Sequence, residues 1–155
     1  MSDGRAICLH FQSTYEMLDF VQVACDGLGR LAGLDEDSLH WLSVAVRESV
    51  INAIKHGNGD DEGKRVHVEF TPLPTEPSGL AIRVRDEGPG FDPEGLPDPL
   101  APENVLKPSG RGIFIIRSFM DEMDLRRAPE GGMEMVMVKR AGAEADSQPP
   151  APAGA

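Results

Sequence analysis

Three short stretches place ligand-binding or reactive side chains at workable spacing. In the first, Glu48 and Asn52 stand four residues apart, with Lys55 and His56 just beyond. On a helix such residues share a face, one turn above another. A carboxylate, an amide oxygen and an ammonium on one stripe suit a magnesium–phosphate unit. The competing reading is a solvated helix face with Glu48 near Lys55, and spacing alone favours it. Against it, Glu48 and Asn52 interrupt a strongly apolar helix, and polar groups that become buried need partners. In the second stretch, Asp86-Glu87-Gly88-Pro89-Gly90, a carboxylate precedes two glycines. Glycine lets the backbone come close to a flat ligand, and a carboxylate accepts hydrogen bonds from an amino group. A plain turn at a strand end explains the same residues equally well. The third stretch, Ser109-Gly110-Arg111-Gly112, opens a helix. Free backbone N–H groups and the helix dipole suit an anion there, and Arg111 adds a charge. A flexible hinge is the commoner meaning of two glycines at that place. The stretch is neither a Walker A loop nor a Rossmann fingerprint, which need G-x-x-x-x-G-K-[ST] or a preceding strand.

Apolar periodicity supplies the elements that hold these stretches. Residues 6–11 read as a strand. Ser13 and Glu16 fit a capping box, opening a helix that Gly33 stops. A second helix starts at residues 34–37 with acids in its first turn. It carries Leu39, Leu42, Ala45, Val46, Val50, Ile51 and Ile54 and ends at His56-Gly57. Residues 64–71 alternate, with Val66, Val68 and Phe70 on one face and Arg65, His67 and Glu69 on the other. Residues 80–86 alternate as well, and Asp86 is in phase with Leu80, Ile82 and Val84, so it points to the apolar face. Residues 110–123 read as a helix, and 124–128 with 133–139 as a hairpin about Glu130-Gly131-Gly132. The order βαα–ββ–loop–α–ββ predicts an α+β two-layer sandwich, a mixed, mostly antiparallel sheet with helices on one face. There is no internal repeat.

Six of the 13 prolines fall between Pro89 and Pro108. They mark a loop of about twenty residues, and loops that long inside a compact domain are usually lids or disordered. Residues 1–140 read as one domain. The Ala/Pro-rich residues 141–155 read as a disordered tail, and 57–61 as a flexible, acidic exit from the second helix. The formal net charge of −11 argues against broad binding to nucleic acid or to an anionic membrane. Any phosphate ligand then needs a local device to beat the global repulsion. Cys8 and Cys25 are too few for a disulfide framework or a four-cysteine zinc site, and both are expected packed and reduced. No signal peptide and no apolar run of membrane-spanning length is visible, so a cytoplasmic protein is expected.

Together and in this order, the three stretches resemble the Bergerat-fold (GHKL) ATP-binding domains shared by gyrase, MutL and histidine kinases. Glu48-x-x-x-Asn52 is similar to their N box, Asp86-x-Gly88-x-Gly90 to the first glycine box, and Gly110-x-Gly112 to the second. Residues 52–58 and 112–121 most resemble the small anti-sigma-factor serine kinases. The resemblance implies ATP and Mg²⁺ as cofactors. It makes Glu48 the general base toward a serine hydroxyl, where histidine kinases more typically carry Asn. Asn52 would be the Mg²⁺ ligand, and Lys55 and His56 would lie near the phosphates. Asp86 would read the adenine amino group, with Gly88 and Gly90 letting the base pack. Residues 91–109 would form the ATP lid, and Ser109, Gly110, Arg111 and Gly112 would face the phosphates. One departure is Pro108, two residues before Gly110, where the second box often carries another glycine. The implied partners are a sigma factor and an anti-anti-sigma (STAS-type) protein phosphorylated on serine, with a homodimer formed through the sheet. A nucleotide-binding, partner-switching module with little kinase activity is the alternative. A detached histidine-kinase catalytic domain fits less well, because His10, His40, His56 and His67 are scattered.

Overall fold

The computed structural model of the chain describes residues 5–74, 76–90 and 108–142, with side chains from residue 112 onward in the last segment. The elements run β1 (Ile7–Gln12), a 3₁₀ turn (Tyr15–Met17), α1 (Leu18–Leu31), α2 (Glu36–Asn52), a π turn (Ala53–Gly57), β2 (Arg65–Leu73), β3 (Gly79–Arg85), α3 (Pro108–Phe119), β4 (Glu122–Arg127) and β5 (Met133–Arg140). The order matches the alternation read from the sequence. Most of the expected lid and the tail from residue 143 lie outside the described residues.

The strands form one sheet in the order β1-β2-β3-β5-β4. All four pairings are antiparallel, where a mixed sheet was expected. The reason lies in where β5 sits. Strands β3 and β4 run in the same sense, but the β4–β5 hairpin inserts β5 between them, so no two neighbours are parallel. The inward face is apolar as predicted: Val66, Val68, Phe70, Leu80, Ile82 and Val84 are buried under Leu42, Val46, Val50 and Ile54 of the second helix and its π turn. Helix α1 adds Leu18, Val21 and Cys25, and α3 adds Ile116.

The outward face is polar, and its side chains line up across the strands. One rung reads His10, His67, Arg85, Glu134, Arg126 across all five strands in register, and the next reads Cys8, Glu69, Arg83, Val136, Asp124. Glu134 is 2% exposed on this face and is held by Arg83 and by Arg126 Nε at 2.7 Å. A carboxylate buried this deeply needs such partners.

Several local expectations are corrected. Ser13 does not cap a helix: its hydroxyl donates to the Lys64 carbonyl at 2.7 Å and it is buried. The 3₁₀ turn that follows has no side-chain cap. The stop at Gly33 holds, with φ +87° and the paired bonds Gly33 N–H to Arg30 O and Leu34 N–H to Gly29 O that end helices in this way. Asp35 caps α2 by accepting the Ser38 N–H at 2.8 Å. Helix α3 begins two residues before Gly110, and proline suits a first helical position because its missing N–H would be unpaired there anyway. It ends at Phe119 rather than Met123, since the Asp121 N–H already bonds Val138 O in the sheet. Cys25 is buried as expected but Cys8 is exposed.

Candidate functional site

Helix α2 buries Leu42, Ala45, Val46 and Val50 toward the sheet and leaves Glu48 and Asn52 half-buried along its flank. Ser49 lies between them, fully inside, and its hydroxyl is satisfied by the Ala45 carbonyl at 2.9 Å. Helix α3 packs across this flank at Gly112. A β-carbon on Gly112 would stand 3.0 Å from Glu48 Oε2 and 3.1 Å from Asn52 Nδ2. The absence of a side chain there is what lets α3 come so close. Two stretches some sixty residues apart in sequence thus meet at one point.

In the α3 first turn, Pro108 has no N–H, and the N–H groups of Ser109 and Gly110 fall among those a helix leaves unpaired. Gly112 is the fifth helical residue, so its N–H belongs to the helical ladder. What the structure shows at Gly112 is close packing against Glu48 and Asn52. The backbone of Arg111 sits in the same first turn.

Beyond Asn52 the helix widens into the π turn, closed by Asn58 N–H to Ala53 O at 2.8 Å. A π turn breaks the 3.6-residue spacing, so the expected stripe does not continue by phase into Lys55 and His56. Both are exposed on the turn. Among the described residues no ion pair joins Lys55 to Glu48, which removes the charge pairing that the solvated-face reading proposed.

Asp86 follows β3 on the apolar face and is 5% exposed. Its Oδ1 accepts from Gly88 N–H at 2.9 Å and Met133 N–H at 3.1 Å. Among the described residues these are the two hydrogen bonds its side chain receives, and both end on the same oxygen. Three glycines crowd it. A β-carbon on Gly57 or Gly132 would overlap Asp86, and one on Gly88 would overlap the Gly57 carbonyl. Gly90, at φ +75°, leads away beside Arg127. The neighbouring Glu87 faces the other way. Its carboxylate accepts from Arg65 N–H at 2.7 Å and pairs with His67 Nε2 at 2.8 Å. The Arg65 N–H first, and His67 second, hold its carboxyl below the usual range. His67 Nδ1 in turn meets His10 Nδ1 at 2.6 Å.

Sequence reasoning missed Asn58, Gly57 and Gly132. Asn58, read as part of a flexible exit, is 2% exposed. Its Oδ1 accepts from Glu87 N–H at 2.8 Å, and its Nδ2 donates to Ser13 Oγ at 2.8 Å and Arg65 O at 3.0 Å. Its reading as a flexible exit overlooked partners that lie 45 and 29 residues away, Ser13 and Glu87, and a third, Arg65, seven residues on. Gly132 was read only as hairpin, and nothing in the hairpin sequence says that Asp86 lies beneath it.

Among the described residues no three His, Cys, Asp or Glu side chains converge where a metal ion would sit. Asn52 offers one neutral oxygen. That donor set fits a Mg²⁺ ion carried mainly by phosphate oxygens and water, as Mg²⁺ commonly is, rather than a resident ion in an all-protein cage.

Comparison with known proteins identifies the family. Residues 11–139 match the family described as histidine kinase-like ATPase domain. A serine-protein kinase RsbW from Listeria monocytogenes is 28% identical over 140 residues, covering 86% of this chain and 85% of its own. An anti-sigma F factor from Oceanobacillus iheyensis is 33% identical over 134 residues, covering 85% of this chain and 90% of its own. Among solved structures, the histidine kinase domain from the Erythrobacter litoralis EL346 blue-light activated histidine kinase aligns at 17% identity with a TM-score of 0.45, over 80% of this chain and 59% of that one.

Proposed function

The chain belongs to the histidine kinase-like ATPase domain family, and from that premise we propose that it is an ATP-dependent protein serine kinase acting as an anti-sigma factor. It would bind a sigma factor and phosphorylate a serine on an anti-anti-sigma (STAS-type) partner, in the cytoplasm. The observation that carries the reading is the meeting of Glu48 and Asn52 with the start of α3 at Gly112. That junction puts a carboxylate, an amide and unpaired helix N–H groups within one small region. The relatives named as serine-protein kinase and anti-sigma F factor support the same assignment.

In this reading the adenine amino group donates to the Asp86 carboxylate, whose Oδ2 side is flanked by Gly57. The phosphates would lie toward the α3 N-terminus, with Ser109 and Gly110 as N–H donors and Arg111 and Lys55 as the residues that the resemblance assigns to their charge. Asn52, together with the phosphates, would hold the Mg²⁺ ion, which would neutralise charge on the transferring group. Glu48 takes the proton of the attacking serine hydroxyl. The serine Oγ–phosphorus bond forms, the bond from phosphorus to the β–γ bridging oxygen breaks, and ADP leaves with that electron pair. A homodimer through the open face of the sheet would rest on the two charged rungs, and its association would weaken with salt.

Transfer of labelled phosphate from ATP to a STAS-type partner in single turnover tests the assignment. Glu48→Gln is expected to keep ATP affinity and lose about 10²–10⁴ in transfer rate. Intact transfer in that variant overturns the general-base role. Asp86→Asn is expected to lose the preference for ATP over GTP, and an unchanged preference overturns the adenine role. If the wild-type chain binds ATP but transfers nothing to any serine-bearing partner, the partner-switching module without kinase activity takes its place.

A further inference from the structure

Asn58 stands where the two halves of the site are joined. Its backbone N–H closes the π turn that ends the α2 helix. Its side chain uses both Nδ2 hydrogens and Oδ1, on Ser13 Oγ, Arg65 O and Glu87 N–H. The amide orientation follows from these partners, since only the oxygen can accept from Glu87 N–H and only the nitrogen can donate to the Arg65 carbonyl. Glu87 is the residue after Asp86, and Gly57, the residue before Asn58, lies against both Asp86 and Gly88. The end of α2 therefore grips the Asp86 turn through two consecutive residues, one by hydrogen bond and one by close packing. The same amide is anchored from behind by Ser13, just after β1, and by Arg65, the first residue of β2.

We propose that Asn58 is a positioning residue that fixes the Asp86 turn relative to helix α2, and so sets the separation between the adenine-reading and phosphate-facing halves of the site. The proposal rests on the ATP reading above. Asn58 touches no substrate; it acts by holding Glu87 N–H, and with it the carboxylate one residue earlier. A bonded group displaced by even a fraction of an ångström misdirects a single carboxylate hydrogen bond, whose strength falls steeply with poor alignment. The widened turn is part of the device, because it brings Gly57 and Asn58, rather than the next residues of a regular helix, onto the Asp86–Glu87 peptide.

The test compares ATP and GTP affinities by calorimetry for wild type, Asn58→Ala, Asn58→Asp and Ser13→Ala, with thermal unfolding of each in parallel. Asn58→Ala removes every side-chain bond, and is expected to weaken ATP about tenfold and bring the ATP-to-GTP ratio toward one. Asn58→Asp retains an acceptor for Glu87 N–H, and is expected to lose stability while keeping most of the ratio. Ser13→Ala removes one anchor of the amide at a residue remote from the nucleotide, and is expected to weaken ATP about threefold. Unchanged affinity and ratio in Asn58→Ala and Ser13→Ala, with only the unfolding temperature lowered, would mean that Asn58 holds the fold and nothing more. Equal loss of ratio in the Asp and Ala variants likewise overturns the proposal. Should Asn58→Ala fail to fold, Ser13→Ala decides the matter by the same readout. A wild-type chain that binds no ATP fails the nucleotide reading itself, and the wild-type titration shows that separately.

Discussion

Gly132→Ala, set against Gly59→Ala, isolates how tightly Asp86 is enclosed. Both glycines have left-handed backbone, φ +82° and +61°. Alanine at either site carries the same kind of cost, on the order of 1–2 kcal/mol. They differ in what surrounds them. At Gly59 a new β-carbon meets nothing within 4 Å, whereas at Gly132 it overlaps the Asp86 carbonyl oxygen and stands 2.8 Å from Asp86 Oδ1. That oxygen belongs to a ladder residue whose N–H bonds Met133 O at 3.0 Å, so the backbone cannot step aside without breaking the pair. Overpacking of this kind costs about 1–3 kcal/mol more. At roughly 3–5 °C per kcal/mol for a domain this size, Gly59→Ala should lower the unfolding temperature by about 3–10 °C. Gly132→Ala should lower it by about twice that. Calorimetry should then find ATP affinity retained in Gly59→Ala and weakened at least tenfold in Gly132→Ala, because the displaced backbone carries the carboxylate. Equal unfolding temperatures and equal ATP affinities for the two variants would refute the cradle around Asp86.

Two further outcomes are expected. Burial, and behind it Asp26, pushes the Cys25 thiol up to about 12, while Cys8 is exposed. Iodoacetamide at mild alkaline pH should modify one thiol in the native protein and two after unfolding, the native one being Cys8; equal native rates at both would contradict the packing of α1. The lowered carboxyl of Glu87 contributes stability that is present above 4.5, its ordinary value, and lost as pH falls through its lowered one. Glu87→Gln should therefore flatten the acid end of the curve of unfolding temperature against pH. An acid limb identical to wild type would show that the Arg65 and His67 bonds contribute nothing there.

The parts legible in the sequence were those governed by short periods. Alternation in β2 and β3 assigned each side chain to a face, and the same two-residue phase was enough to place Asp86 inward. Cys8 was legible by that rule too, since it is in phase with His10 on the polar face; expecting both cysteines to be packed ignored the phase. Ser13 was misread because a capping pattern and a long-range anchor look alike in one dimension, and the Lys64 carbonyl and Asn58 amide that claim it are some fifty residues away. The π turn has no sequence signature of its own. Helical phase predicted one face through Lys55, and tertiary contacts of Gly57 and Asn58 with the Asp86 turn overrode it.

In the proposed ATP-binding reading, a chain at −11 must meet the phosphates with local partners. Among the described residues Arg83, Arg85 and Arg126 face Glu130 and Glu134 across the open side of the sheet, and Arg30 pairs with Asp26 and Glu36 on the surface. Those cations are neutralised where they stand and offer little to a ligand. Lys55, on the π turn, and Arg127, beside Gly90, enter no ion pair among the described residues. Lys55 stands two residues before Gly57, which packs against Asp86, and Arg127 lies beside Gly90. An exposed cation is screened over about 10 Å at ordinary salt, so its position relative to the ligand matters more than the total of −11. In that reading the acidity of the surface repels large polyanions, while a small phosphate ligand needs only its local partners.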